Sequence, residues 1–336
     1  MHPINHCGLF IMTNSQLIKR FSLTNQGFWV ALILILLVSC SNDAEYKQID
    51  FTKKIDAYSP VDKINDRPTL RVAVAAMISP KETAIYYREL IDYLAAKIDH
   101  EVELIQRKTY LEVNELLAKR RIDLAFICTG PYVSGAERYG IEAVATPIVR
   151  GKPYYQSYLI VNKNSALQSL TDLKGKDFAF TDPESNTGAL VPRYWLRQFG
   201  AVPETFFRSF TYTYSHDNAI MAVAKNLVDG AAVDGHMWEY YQRRNAFYSS
   251  KTRVIKKSEP FGSPPLVVSK TLSPSMKRIL TDMILSMHQD PEGQRILGEL
   301  MIDHFAPPEP GWYTPVKAML ERITEVEARN DAPKES

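Results

Sequence analysis

Apolar residues recur along most of this chain with two different periods. Residues 70–76 (Leu-Arg-Val-Ala-Val-Ala-Ala) form a short β-like run, and 102–106, 122–128, 157–161, 177–180, 231–234 and 266–269 read as further strands. Between them lie stretches with helical spacing. In 83–98, Leu90, Ile91, Leu94 and Ile98 share one stripe; 111–119, a short start at 169–173, 189–198, 219–226, 273–287 and a last stretch at 315–329 follow. The run 122–128 is nearly all apolar, as a strand covered on both faces requires. Strands alternating with helices of about 10–15 residues predict an α/β fold of βαβ units. Two segments, 154–161 and 255–268, the latter with Pro260, Gly262, Pro264 and Pro265, read as crossovers. A chain that leaves one lobe, builds a second and returns is joined by two strands, a hinge with a cleft between the lobes.

The pattern is different at the N-terminus. Lys19 and Arg20 precede an apolar run over 28–38, too short to span a bilayer and matching the core of a signal peptide. The run ends in Leu37-Val38-Ser39-Cys40, which resembles a lipobox, so Cys40 is the expected lipidation site. Met12 offers an alternative start that gives a signal peptide of more usual length. Polar residues then lead to the first strand. The expected organisation is a signal peptide (1–39), a lipid-anchored tether (40–68), lobe 1 (69–155 plus 262–330) and lobe 2 (156–261).

Composition narrows the function. The 336 residues suffice for two lobes with separate cores, and 45% hydrophobic with 23% charged is ordinary for a globular chain. A formal net charge of +2 is no footprint for nucleic acid. Beyond Cys7 and Cys40, the remaining cysteine is Cys128, so no disulfide framework holds the domain together. Cys128 ends an apolar strand and reads as a buried thiol, although a soft oxyanion such as arsenite would want a thiolate. No metal-ligand cluster or nucleophile elbow is present, and no cofactor is expected. A hydrolase using Cys128 or Ser185 with His216 as base is the weaker alternative.

The chemistry concentrates in residues 180–195, Phe-Thr-Asp-Pro-Glu-Ser-Asn-Thr-Gly-Ala-Leu-Val-Pro-Arg-Tyr-Trp. A strand ends at Phe180, Asp182-Pro183 turns the chain, and Ser185, Asn186, Thr187 and Gly188 lead into a helix. The first amides of a helix lack intrahelical partners, and the dipole places roughly half a positive charge there. Hydroxyls add donors, and Gly188 leaves room for an anion to approach the backbone. Ordinary helix capping explains the same residue types.

This stretch, with Asp182, Pro183, Ser185, Thr187, Gly188 and Pro192, resembles the signature of the phosphonate, phosphite and phosphate binding proteins of ABC transporters, the PhnD-like group; Asn186 departs from the usual threonine. Ser79-Pro80-Lys81-Glu82, Asp123-Leu124-Ala125-Phe126, Gly130-Pro131-Tyr132 and Leu173-Lys174-Gly175-Lys176 extend the resemblance over about residues 70–300. It implies a type II periplasmic-binding-protein fold, each lobe a mostly parallel sheet flanked by helices, joined by a two-strand hinge. It also implies that Tyr110, Tyr155, His216 and Asp234 complete the ligand site with Ser185, Asn186, Thr187 and Gly188. His216 is expected to gain a positive charge near pH 6.5, and Asp234 to accept a P–OH proton or pair with a ligand amine. The implied function is extracytoplasmic capture of a small phosphorus oxyanion by a monomeric lipoprotein held to the membrane through Cys40. The receiver is an ABC permease or, alternatively, a signalling receptor.

Overall fold

The computed structural model describes residues 67–331 apart from 76, 78, 80, 82, 85 and 86, and side chains of the last helix only as far as 323. The apolar run at 28–38, the tether and Cys40 lie outside the described residues. Among the described residues, no helix is long and apolar enough to cross a membrane.

Lobe 1 is built on a six-stranded sheet. Its strands are β1 (Thr69–Val74), β2 (Glu101–Gln106), β3 (Leu124–Phe126), β4 (Ile141–Ile148), β12 (Leu266–Ser269) and β13 (His304–Ala306), in the order β13-β4-β12-β3-β1-β2. Helices α1 (Arg88–Ile98), α2 (Tyr110–Ala118) and α3 (Thr129–Tyr139) connect its first strands. Lobe 2 has β6 (Ser157–Asn162), β7 (Asp177–Phe180), β8 (Ser209–Tyr212), β9 (Gly230–Asp234) and β10 (Thr252–Lys257), ordered β10-β6-β9-β7-β8. Its main helices are α4 (Val191–Arg197), α5 (His216–Ala224) and α6 (Gly235–Arg244). Between the lobes, β5 (Tyr154–Tyr155) and β11 (Phe261–Gly262) pair antiparallel, Phe261 opposite Tyr155. This is the two-lobed type II architecture with its two-strand hinge.

Both sheets are mixed rather than mostly parallel, which corrects the sequence expectation. Strand β1 runs parallel to β2 and β3, but β12 is antiparallel to β3 and β4. In lobe 2, β7 is parallel to β8 and β9, whereas β6 is antiparallel to β9 and β10. The hinge is the reason. One strand of each lobe runs along one arm of the hinge and another along the other arm in the opposite direction, so each sheet must take antiparallel pairs.

Burial follows the two periods. Along β6, Tyr158 and Ile160 pack in one apolar cluster while Leu159 and Val161 pack in another on the opposite face. Helices therefore cover both sides of that sheet, and the strand reads as continuously apolar. After α7 (Pro274–Ser286) and α8 (Pro291–Glu299) comes α9 (Thr314–Asp331), which was expected within lobe 1. It buries Val316, Met319 and Ile323 against the lobe 2 cluster containing Leu190, Val191 and Trp195, while Lys317 pairs with Glu137 of α3 at 3.2 Å. Met319→Ala is expected to lower stability by about 2–5 kcal/mol, read from the midpoint of urea unfolding.

Candidate functional site

The cleft is lined by chain segments that each leave a strand and enter a helix. Tyr110 is the first residue of α2, and Cys128 immediately precedes α3. Ser185 caps a π-helical turn, Asn186–Leu190, that continues into α4. His216 begins α5, and Asp234 caps α6. Five helix N-termini, with their positive dipole ends, thus surround one volume. Tyr155 enters from the hinge strand β5. All these side chains are buried; Tyr110, Ser185, Asn186, Thr187 and His216 have 0% exposure.

The lobes meet directly across this volume. The Asp182 carboxylate of lobe 2 accepts from the Tyr110 amide (3.2 Å) and from Glu184 N (2.8 Å). Asp217 accepts from Ser79 N at 2.9 Å, and the His216 amide donates to Met77 O at 3.0 Å. A Cβ on Gly130 of α3 would lie 2.2 Å from Glu184 O, so only glycine permits this approach.

Inside the cleft, Tyr110 Oη, Thr187 Oγ1, Asn186 Oδ1 and His216 Nε2 are buried without a protein partner. An unpaired buried polar group costs about 1–3 kcal/mol, so four together mark a place that a polar ligand completes. Asn186 Nδ2 donates to Tyr155 Oη at 3.0 Å. Ser185 Oγ accepts from the Gly188 amide at 3.1 Å, which leaves its own proton to donate elsewhere. Capping and ligand binding are therefore compatible in one hydroxyl.

Three sequence expectations change. The Gly188 amide is taken by the Ser185 cap, and the Asn186 amide faces Cys128 Sγ, so the free donors are mainly side chains rather than backbone amides. Gly188 is required by its own neighbour: a Cβ there would fall 1.8 Å from Thr181 Oγ1. His216 stays neutral, because burial pushes its pKa down to about 3. Its Nδ1 accepts from the Asp234 amide at 3.0 Å, which fixes the proton on Nε2 and makes that atom a donor into the cleft.

The remaining groups are also held protonated. Burial first, then the neighbouring Cys128 and the Asp182 carboxylate, drives the Tyr110 hydroxyl well above its usual range. Burial and Cys128 do the same to Tyr155. Burial raises the Cys128 thiol against the opposing amides of Asn186 and Gly130. Cys128 is thus a thiol, as expected, but it sits in the cleft, 3.7 Å from Tyr155 Oη and 4.0 Å from Ser185 Oγ. Its position at the end of an apolar strand gave no hint of this. Tyr132 packs edge-on against Tyr313, away from the cluster just described.

Asp234 accepts the amides of His236 (2.7 Å) and Met237 (3.2 Å) through one oxygen, as a helix cap. Burial nevertheless raises its pKa to about 7.

Residues 72–313 match the family described as the periplasmic substrate-binding protein of phosphonate ABC transporters. The phosphonates-binding periplasmic protein of Escherichia coli is 24% identical over 247 residues, 72% of this chain and 73% of that protein. Among solved structures, a binding component of a phosphonate ABC transporter from Pseudomonas aeruginosa superimposes with a TM-score of 0.75 at 22% identity, covering 80% of this chain and 90% of that one. PhnD1 of Prochlorococcus marinus in complex with methylphosphonate gives 0.69 at 20% identity, covering 76% and 98%.

The raised pKa of Asp234 links folding stability to pH. The folded chain keeps a proton that the unfolded chain releases near pH ~4. That stabilising contribution is fully present below about pH 4 and is lost as pH rises through about 7. Asp234→Asn retains the capping oxygen and cannot ionise. The stability of the wild type relative to this variant is expected to fall between those pH values and level off above them, measured as urea midpoints in a pH series.

Proposed function

Since this chain belongs to the phosphonate substrate-binding family of ABC transporters, we propose that its cleft captures a small phosphorus oxyanion, namely phosphonate, phosphite or phosphate, and delivers it to an ABC permease. The observation that carries this reading is the set of unpartnered buried atoms at Tyr110, Asn186, Thr187 and His216, ringed by helix N-termini. Tyr110 Oη, Thr187 Oγ1 and His216 Nε2 donate to the phosphoryl oxygens, with Ser185 and Tyr155 adding hydroxyl protons. Asn186 Oδ1 accepts from a P–OH group. Protonated Asp234 adds no negative charge below about pH 7.

These donors are neutral, and the anion supplies the charge. Hydrogen bonds to a charged group contribute about 1.5–3 kcal/mol each. Five of them contribute about 7.5–15 kcal/mol, the same order as the association cost of about 4–15 kcal/mol. Lobe closure excludes water and strengthens each contact. No step in this scheme breaks a covalent bond. His216 is oriented by the Asp234 amide to donate rather than to accept a proton from a nucleophile.

We further propose that the protein is exported and tethered by lipid on Cys40. The Leu37-Val38-Ser39-Cys40 run supports this, and a polar stretch beyond it lets the lobes reach a permease. Family members are periplasmic by description, which agrees with the signal-peptide pattern.

Two experiments test these readings. Ser185→Ala combined with Thr187→Ala is expected to weaken phosphonate or phosphate binding more than tenfold in calorimetry, with the circular dichroism spectrum retained; unchanged affinity would place the site elsewhere. Cys40→Ala is expected to move the protein from the membrane fraction to the soluble exported fraction, and the wild type should carry a diacylglycerol mass on Cys40.

A further inference from the structure

A second chamber lies against the anion cluster. It is a cavity of about 90 Å³ between the lobes. Lobe 1 contributes Phe126, Ile127, Leu266 and Phe305, and lobe 2 contributes Met237 and Tyr240. The walls are mainly apolar; the polar residues among them are Arg150 and Glu239, ion-paired at 2.7 Å, together with Asp234, His236 and Ser263.

Three features join this chamber to the oxyanion cluster. Asp234 and His236 line the chamber; the Asp234 amide donates to His216 Nδ1 at 3.0 Å, and the His236 ring lies 6.2 Å from that of Tyr155. Ile127 lines it and precedes Cys128, whose sulfur faces Tyr155 and Ser185. Met77 lines it and accepts the His216 amide.

The shape of the ligand follows from this arrangement. A tetrahedral phosphorus group has four vertices. Phosphate presents oxygen at all four and needs polar partners on every side. Here the donors gather on one side and an apolar chamber adjoins them. That environment suits three oxygens and one carbon substituent. At about 15 Å³ for each water-sized occupant, the chamber holds roughly six heavy atoms. Glu239 is already paired with Arg150, and Asp234 Oδ1 is already taken by the His236 and Met237 amides. The walls offer little to an ammonium group.

We propose that the chamber is a subsite for an uncharged alkyl or aryl substituent of about five or six heavy atoms on a phosphonate ligand. This rests on the oxyanion reading of the Tyr110, Thr187 and His216 cluster. It assigns the preferred substrate class: apolar organophosphonates over phosphate, phosphite and aminoalkylphosphonates.

The test is calorimetry of the full-length protein with phosphate and with methyl-, propyl-, pentyl-, phenyl- and aminoethylphosphonate. Affinity should rise about fourfold for each methylene buried, so propylphosphonate is expected to bind at least tenfold tighter than methylphosphonate. It should also bind tighter than aminoethylphosphonate, which has the same number of heavy atoms. Leu300→Trp, which fills the chamber from its lobe 1 wall, should bring the propyl-to-methyl ratio close to one. Equal affinity along the alkyl series, or tighter binding of aminoethylphosphonate, overturns the subsite while leaving the oxyanion reading intact. Binding of none of the panel overturns both. A propyl preference that survives Leu300→Trp overturns the placement of the substituent in this chamber, and the wild-type series stands even if that variant does not fold.

Discussion

Burial of hydrogen-bonding groups without protein partners is the constraint on which the rest of the structure depends. Tyr110, Thr187, Asn186 and His216 each bring an unpaired, buried polar atom to the region where the two lobes meet. At about 1–3 kcal/mol apiece, these atoms make closure around nothing costly and closure around a matching anion favourable. Helix N-termini add to the same bias. Five helical segments start at this volume, each following a strand, so their dipoles stabilise negative charge in it; among the described residues no lysine or arginine is hydrogen-bonded to the four unpaired atoms. The absence of a fixed cation matters for a transport protein, since the ligand must be released again.

Closure uses backbone as much as side chain. Asp182 of the Asp-Pro turn reaches across to the Tyr110 amide, and Asp217 reaches the Ser79 amide. Residues that bound the anion cluster are therefore next to residues that latch the lobes. Tyr110 serves in both roles, with its amide on the latch and its hydroxyl facing the cleft. In the proposed reading, ligand binding and closure are coupled through single residues, which is the arrangement a differential affinity between open and closed states requires. Helix α9, packed on the lobe 2 cluster and ion-paired to α3 of lobe 1, lies across the same division.

Several residues satisfy two descriptions at once. Ser185 caps a helix with its lone pair and keeps a proton to donate. Asp234 caps α6 and also borders the apolar chamber. His216 uses Nδ1 to accept the Asp234 amide and exposes Nε2 to the cleft. From sequence, capping and binding look like competing explanations for Ser, Asp and Asn before a helix. In the folded chain they are the same atoms used on different sides.

The sequence by itself determined the alternation of strands and helices, the two lobes and the two crossings between them, and it pointed to the segment 180–195 as the candidate seat of the chemistry. These are carried by local periodicity and by a run of turn and capping residues, which need no distant partner to be read. Strands such as 177–180 and 266–269 appear with the boundaries expected, because each is a short apolar run between polar turns. Strand direction was not legible: the antiparallel pairs arise where the chain passes through the hinge, a property of topology rather than of composition. Helix α3, with Gly130, Pro131 and Gly135 in its sequence, was missed because its propensity is poor and its stability comes from packing. Only the tertiary structure decided that Cys128 faces the anion cluster, that Gly188 makes room for Thr181, that His216 is neutral and that an apolar chamber adjoins Asp234. Gly188 and Thr181 are only seven residues apart but meet because strand, turn and helix fold back on one another; the others depend on neighbours far along the chain, and the burial that neutralises His216 exists only once the lobes have folded and met.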